Sequence, residues 1–155
     1  MPLDPFAGFR LHGRTALVTG ARREIGRAIA RILAGAGARV AIHHAGTEEE
    51  ARDATAVVAE IVANGGDARS FGQDFARDDA GLALATAVTA WASVDILVLN
   101  ASIELPEDFR SISRERFDRQ IAVNLRTTLE LLQTLVPPMA DRGWGRVVTI
   151  GSVQQ

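Results

Sequence analysis

The sequence contains no cysteine, so it can build neither a disulfide framework nor a thiolate metal site, and a reducing, cytoplasmic setting is expected. Tyrosine is absent, and all 17 basic residues are arginine, so lysine is absent too. Any mechanism that needs a phenol or a primary amine cannot be completed within this stretch. The net charge of −2 leaves no basic field for a nucleic-acid backbone. No apolar run is long enough to cross a bilayer, and Met1 to Leu11 lack the charged-then-apolar pattern of a secretory signal. Neither nucleic acid nor a membrane is expected as a partner. What is present is 47% hydrophobic content in 155 residues, enough to core one domain.

Four apolar runs, Thr15–Thr19, Val40–His43, Asp95–Leu99 and Arg146–Ile150, are nearly continuous rather than alternating, the pattern of strands covered on both faces of a parallel sheet. Ala68–Phe71 is a weaker fifth strand. Helical spacing separates them. Ile25, Ala28, Ile29, Ile32, Leu33 and Ala36 form one apolar stripe, stopped at Gly35 and Gly37. Thr47 and Glu50 form a capping box for a second helix ending at Asn64, Gly65 and Gly66. A third helix is expected over Asp79–Trp91. A long fourth is capped by Ser113 and runs toward Met139, kinked or ended near Pro137 and Pro138, with Phe117, Ile121, Leu125, Leu132 and Leu135 toward the core. The alternation predicts an α/β fold with a doubly wound parallel sheet, preceded by a frayed amino terminus.

The first strand runs through Thr19-Gly20-Ala21-Arg22-Arg23-Glu24-Ile25-Gly26 directly into a helix. That turn aims backbone N–H groups and a positive helix end at one point, where a pyrophosphate can sit. Further on come Leu99-Asn100-Ala101-Ser102, Val123-Asn124-Leu125 and Ile150-Gly151-Ser152-Val153. In order and spacing the four segments resemble the short-chain dehydrogenase/reductase family, in particular its 3-oxoacyl reductase-like and polyol-dehydrogenase-like members. The resemblance runs from about Leu11 to the last residue. It implies a Rossmann-like α/β/α domain over residues 13–155, with 1–12 as an extension. Two departures stand out: Glu24 replaces the middle glycine of the first motif, and Leu99 and Ser102 flank Asn100-Ala101 in place of Asn and Gly.

The resemblance implies a nicotinamide cofactor held by Gly20, Arg22, Arg23, Glu24, Ile25, Gly26, His43, Asp74, Asn100, Ala101 and Ser102. No acid ends the second strand, which reads Ile42-His43-His44-Ala45-Gly46, so an NAD-type ribose contact is missing there, whereas Arg22 and Arg23 suit a 2′-phosphate. NADP(H) is therefore expected over NAD(H). His43 and His44 are neighbours on a strand and point to opposite faces, which argues against a shared metal ion, and no metal site is assigned. By resemblance Ser152 bonds the substrate oxygen and Asn124, read as a buried amide, holds a water of the proton relay. Gly151-Ser152-Val153-Gln154 is not a hydrolase elbow. The family's Tyr and Lys would follow Ser152 beyond Gln155, so the expectation is the amino-terminal part of a longer homo-oligomeric enzyme acting on a small carbonyl or alcohol, truncated after the fifth strand and inactive alone. The alternative is a non-catalytic module that binds a nucleotide or a protein.

Overall fold

In the computed structural model, which describes residues 9–151, the five apolar runs form one sheet. The strands are β1 (Thr15–Val18), β2 (Arg39–His44), β3 (Asp67–Gly72), β4 (Ile96–Leu99) and β5 (Arg146–Thr149), in the order β3-β2-β1-β4-β5. Every pairing is parallel, with Leu17 opposite both Ala41 and Leu97. The chain steps outward from β1 to β3, then returns across β1 to lay down β4 and β5. The strand order therefore reverses between β1 and β4, and a crevice opens at their carboxyl ends.

Helices α1 (Glu24–Gly35) and α2 (Glu48–Ala63) cover one face, α3 (Ala80–Thr89) and α5 (Thr127–Asp141) the other. Alternate strand residues feed the two cores. Ala16 and Val18 pack with Ala30, Ala34, Val57 and Ile61, while Leu17 and Leu97 pack with Leu84, Val88, Leu131, Leu135 and Met139. The capping box of α2 forms as the sequence predicts, and β3 extends the predicted strand by a residue at each end. Leu11 is docked rather than frayed: its N–H donates to the Ala36 carbonyl at 2.8 Å.

Three helical expectations change. The fully buried side of α1 is Gly26, Ala30 and Ala34; of the predicted stripe, Ile29 and Leu33 pack half-buried beside them, while Ile25 and Ile32 are 59% and 72% exposed. Small residues let the helix sit close to β1, and this steric demand outranks the larger apolar stripe. The long helix is also not one helix. It comprises α4 (Arg114–Ile121), a π-helical turn (Ala122–Arg126) and α5, so the phase read from a single 3.6-residue period drifts. Val123, Thr127, Leu131, Leu135 and Met139 face the core, and Phe117, Ile121 and Leu125 are exposed on the opposite side. Finally, α5 passes through Pro137 and Pro138 to Asp141. Leu135 and Met139, both buried, anchor that turn to the sheet, and Pro138 still accepts from the Arg142 N–H at 3.3 Å.

Among the described residues, nothing covers the outer side of β5: Val147 and Val148 are 42% and 45% exposed. No described helix is long and apolar enough to cross a membrane.

The rotated helix faces give an expected outcome. Leu131→Ala, at a fully buried position, costs about 2–5 kcal/mol, whereas Ile32→Ala stays within about 0.5 kcal/mol, as read from urea denaturation midpoints.

Candidate functional site

The crevice between β1 and β4 is held open in a fixed shape by one threonine and one asparagine. Thr19 is 1% exposed. Its hydroxyl donates to the Val98 carbonyl at 3.2 Å and accepts the N–H groups of Asn100 and Ala101, both at 2.9 Å. The Asn100 amide returns the contact, donating to the carbonyls of Thr19 at 2.9 Å and Gly20 at 3.2 Å. The strand ends are thus tied together where the sheet ladder stops. Gly20, at φ +64°, then turns the chain into α1. A Cβ on Gly26 would lie 2.7 Å from the Asn100 amide nitrogen and 2.9 Å from the Ala21 Cα, so only glycine permits this approach of helix to strand.

The helix begins without a side-chain cap. Arg23 occupies the cap position in extended conformation, and the N–H that bonds back to its carbonyl is that of Arg27, at 3.1 Å. The first-turn N–H groups are left for an anion. Glu24, the first helical residue, has φ +47°, in the left-handed region that disfavours any residue with a Cβ. Its exposed side chain lines the cleft, so replacing the motif's middle glycine involves backbone strain as well as an added carboxylate.

The two arginines of the turn behave differently. Arg22 turns toward α2, with its Nε 3.1 Å from Glu50 and its Nη1 2.8 Å from Asp53. It is not free in this state to meet a phosphate, contrary to the reading that gave both arginines that role. Arg23 is exposed and forms no ion pair among the described residues. Glu50, which closes the capping box, also lines the cleft although no sequence motif assigns it there; the three-residue spacing from Thr47, which fixes its rotation about α2, is the one signal for that position.

His43 is buried beneath the turn. Its Nδ1 accepts the Gly20 N–H at 3.1 Å, which leaves Nε2 to donate to the Gln73 carbonyl at 2.8 Å. The ring stacks on Phe75 at 4.0 Å between centroids, a neighbour the sequence did not single out. Burial lowers its pKa from 6.5 to about 4, against the smaller raising effect of the Gln73 hydrogen bond, so the ring is neutral. Burial lowers the pKa of His44 as well. Asp74 lines the cleft and accepts the Ala76 N–H at 2.9 Å, closing the turn after β3.

On the far wall, Asn124 is exposed rather than buried, because the π-helical turn carries it off the core side. Its amide oxygen accepts the Ile103 N–H and its amide nitrogen donates to the Ile103 carbonyl, each at 2.9 Å. The side chain thereby fixes the loop after β4, which also contains Ser102 on the cleft surface. Ser152 lies outside the described residues; Gly151, at the end of β5, is the last cleft residue described.

All eleven predicted cofactor contacts and Asn124 border a single cleft of about 940 Å³, within the range usual for cofactor pockets. The uncapped helix start, the glycine approach and the free Arg23 fit a pyrophosphate-linked, anionic ligand. A doubly wound sheet with such a turn at its switch point defines a dinucleotide-binding α/β unit. The chain belongs to the short-chain dehydrogenase family, which its residues 14–155 match. It is 39% identical over 142 residues to the L-rhamnose 1-dehydrogenase (NAD(P)(+)) of Azotobacter vinelandii, covering 90% of this chain and 56% of that protein. It is 35% identical to a 3-oxoacyl-[acyl-carrier-protein] reductase of Staphylococcus aureus, with the same two coverages. The crystal structure of a 3-oxoacyl (acyl-carrier-protein) reductase from Agrobacterium tumefaciens C58 with NADP bound superposes with a TM-score of 0.88 at 44% identity, covering 94% of this chain and 55% of that one. The chain thus spans little more than half the length of the relatives it matches.

Two outcomes follow from the site. Because the folded state resists protonating His43, stability is full above pH 6.5 and falls as the pH drops toward 4, where the unfolded chain alone takes up the proton. The loss amounts to about 3 kcal/mol, measurable by urea denaturation across that window, and His43→Asn flattens most of the slope. Glu24→Gly relieves the left-handed strain and outweighs the flexibility glycine adds to the unfolded chain, so the same assay shows a gain of about 0.5–1 kcal/mol.

Proposed function

We propose that this chain supplies the cofactor-binding part of an NADP(H)-dependent oxidoreductase that interconverts a ketone and a secondary alcohol. The observation that carries this reading is the cleft at the β1/β4 switch point, where an uncapped helix start and the unpaired Arg23 share one wall. The NADP bound to the Agrobacterium reductase supports the choice of cofactor. When bound, the nicotinamide donates or accepts the hydride.

The chain's own residues divide the remaining work. The first-turn N–H groups of α1 hold the pyrophosphate, Arg23 the 2′-phosphate and Asp74 the adenine amino group. Asn100, Ala101 and Ser102 form the floor, with Ile25 on the rim. Asn124 holds the Ile103 loop against the cleft; with its side-chain amide engaged there, any relay water at this residue is held by the main chain. Ser152 takes the hydrogen bond to the substrate oxygen. A tyrosine and a lysine, neither of which occurs in this sequence, complete the acid–base set by family resemblance. The sugar and 3-oxoacyl reactions named for the two relatives bracket the substrate class as a small carbonyl or alcohol. The exposed row Phe117, Ile121, Leu125 and Leu129 serves as a contact between subunits of a homo-oligomer.

The test is a titration with NADPH and with NADH, followed by nicotinamide fluorescence. NADPH binds more tightly, and Arg23→Ala weakens it about tenfold while leaving NADH within about twofold. Equal affinities, or an Arg23→Ala variant that binds NADPH as well as the parent, overturn the preference.

A further inference from the structure

Arg22, Glu50 and Asp53 form a charge cluster that the cofactor-binding role of the turn leaves unexplained. Arg22 and Glu50 both lie largely out of solvent, with side chains 17% and 19% exposed, and Asp53 flanks them at 44%. Glu50 is placed by its own backbone, whose N–H donates to the Thr47 hydroxyl at 3.2 Å. Arg22, Glu50, His44 and Ala45 border the cleft at the end of β2, where the adenosine ribose of a dinucleotide comes to rest in folds of this kind.

The local charge is one guanidinium against two carboxylates. A 2′-phosphate, carrying about −2 at neutral pH, meets the Glu50 carboxylate on the cleft wall, with Asp53 behind it on Arg22, and must detach Arg22 from both to use it. A free 2′-hydroxyl meets no such obstacle, because it can donate to Glu50 without disturbing Arg22. We propose that Glu50 and Asp53 determine cofactor specificity: by holding Arg22, they reduce the margin by which the cleft prefers NADP(H) over NAD(H) and leave both usable. This rests on the reading of the cleft as a nicotinamide-cofactor site. A brace that only ties the turn after β1 to α2 would leave the margin unchanged.

The experiment measures dissociation constants of NADPH and NADH by fluorescence for the full chain and for Glu50→Gln, Asp53→Asn and the double variant. Glutamine preserves the capping box, and Asp53 is exposed enough for its variant to fold if the double variant does not. The ratio of NADPH to NADH affinity rises at least about threefold in Asp53→Asn and further in the double variant. In an Arg22→Ala background the same substitutions raise the ratio by a smaller factor, because the direct repulsion of the phosphate is relieved but no guanidinium remains to release. Glu49→Gln, on the first turn of α2 but off the cleft, moves it less than twofold. A ratio that stays constant while both cofactors bind overturns the proposal, as does a rise that is undiminished without Arg22. If the unaltered chain binds neither cofactor, the cofactor reading itself fails and this proposal falls with it.

Discussion

The hydroxyl of Thr19 is the point on which the rest of the site depends. Parallel strands β1 and β4 must separate to leave a crevice, yet the backbone groups at their ends cannot be left unpaired in a buried setting. One hydroxyl donates to a carbonyl of β4 and receives two N–H groups just beyond it, and the Asn100 amide repays the carbonyls of β1 and the turn. With those groups satisfied internally, Gly20 can reverse the chain and Gly26 can bring α1 against the strand. The cleft is thus built by hydrogen bonds that lie beneath it, leaving the helix start unused.

The electrostatic character of the cleft depends on which charges are already paired. His43 is kept neutral by burial, and its lone pair is spent on the turn, so it adds shape without charge. Arg22 is balanced by carboxylates of α2, and Glu24 brings a negative group to the helix end that an anion would use. Of the cations around the turn, Arg23 alone among the described residues stands both unpaired and on the cleft. A turn rich in arginine is therefore less positive than its composition suggests.

The order of strands and helices was legible in the sequence because buried parallel strands and glycine-ended helices leave local marks. The described parts of the four motif segments likewise converge on one cleft because each follows a strand end or a helix turn, and the topology brings those ends together. What could not be read were the faces of α1 and of the long helix. Helix periodicity ranks residues by hydrophobicity, but α1 is seated by Gly26, Ala30 and Ala34, whose small size matters more than their polarity. Nor does a sequence signal the π-helical turn, so Asn124 was placed among core residues when it is on the cleft side. The pairing of Arg22 with Glu50 and Asp53 joins a turn residue to a helix some thirty positions further on, and no local pattern encodes it.

The π-helical turn also bears on how this region can change length. A π-helical turn takes up about one residue more than an α-helical turn for the same rotation, so removing one residue between Ala122 and Arg126 would let the turn become α-helical while leaving the faces of α4 and α5 where they are. Leu131, Leu135 and Met139 would stay against the sheet, and the cost would fall on Asn124 and its alignment with Ile103. The irregular turn therefore serves as a splice that absorbs one residue. It makes this stretch more tolerant of a single-residue deletion than α4 or α5, where the same change would rotate everything after it by about 100°.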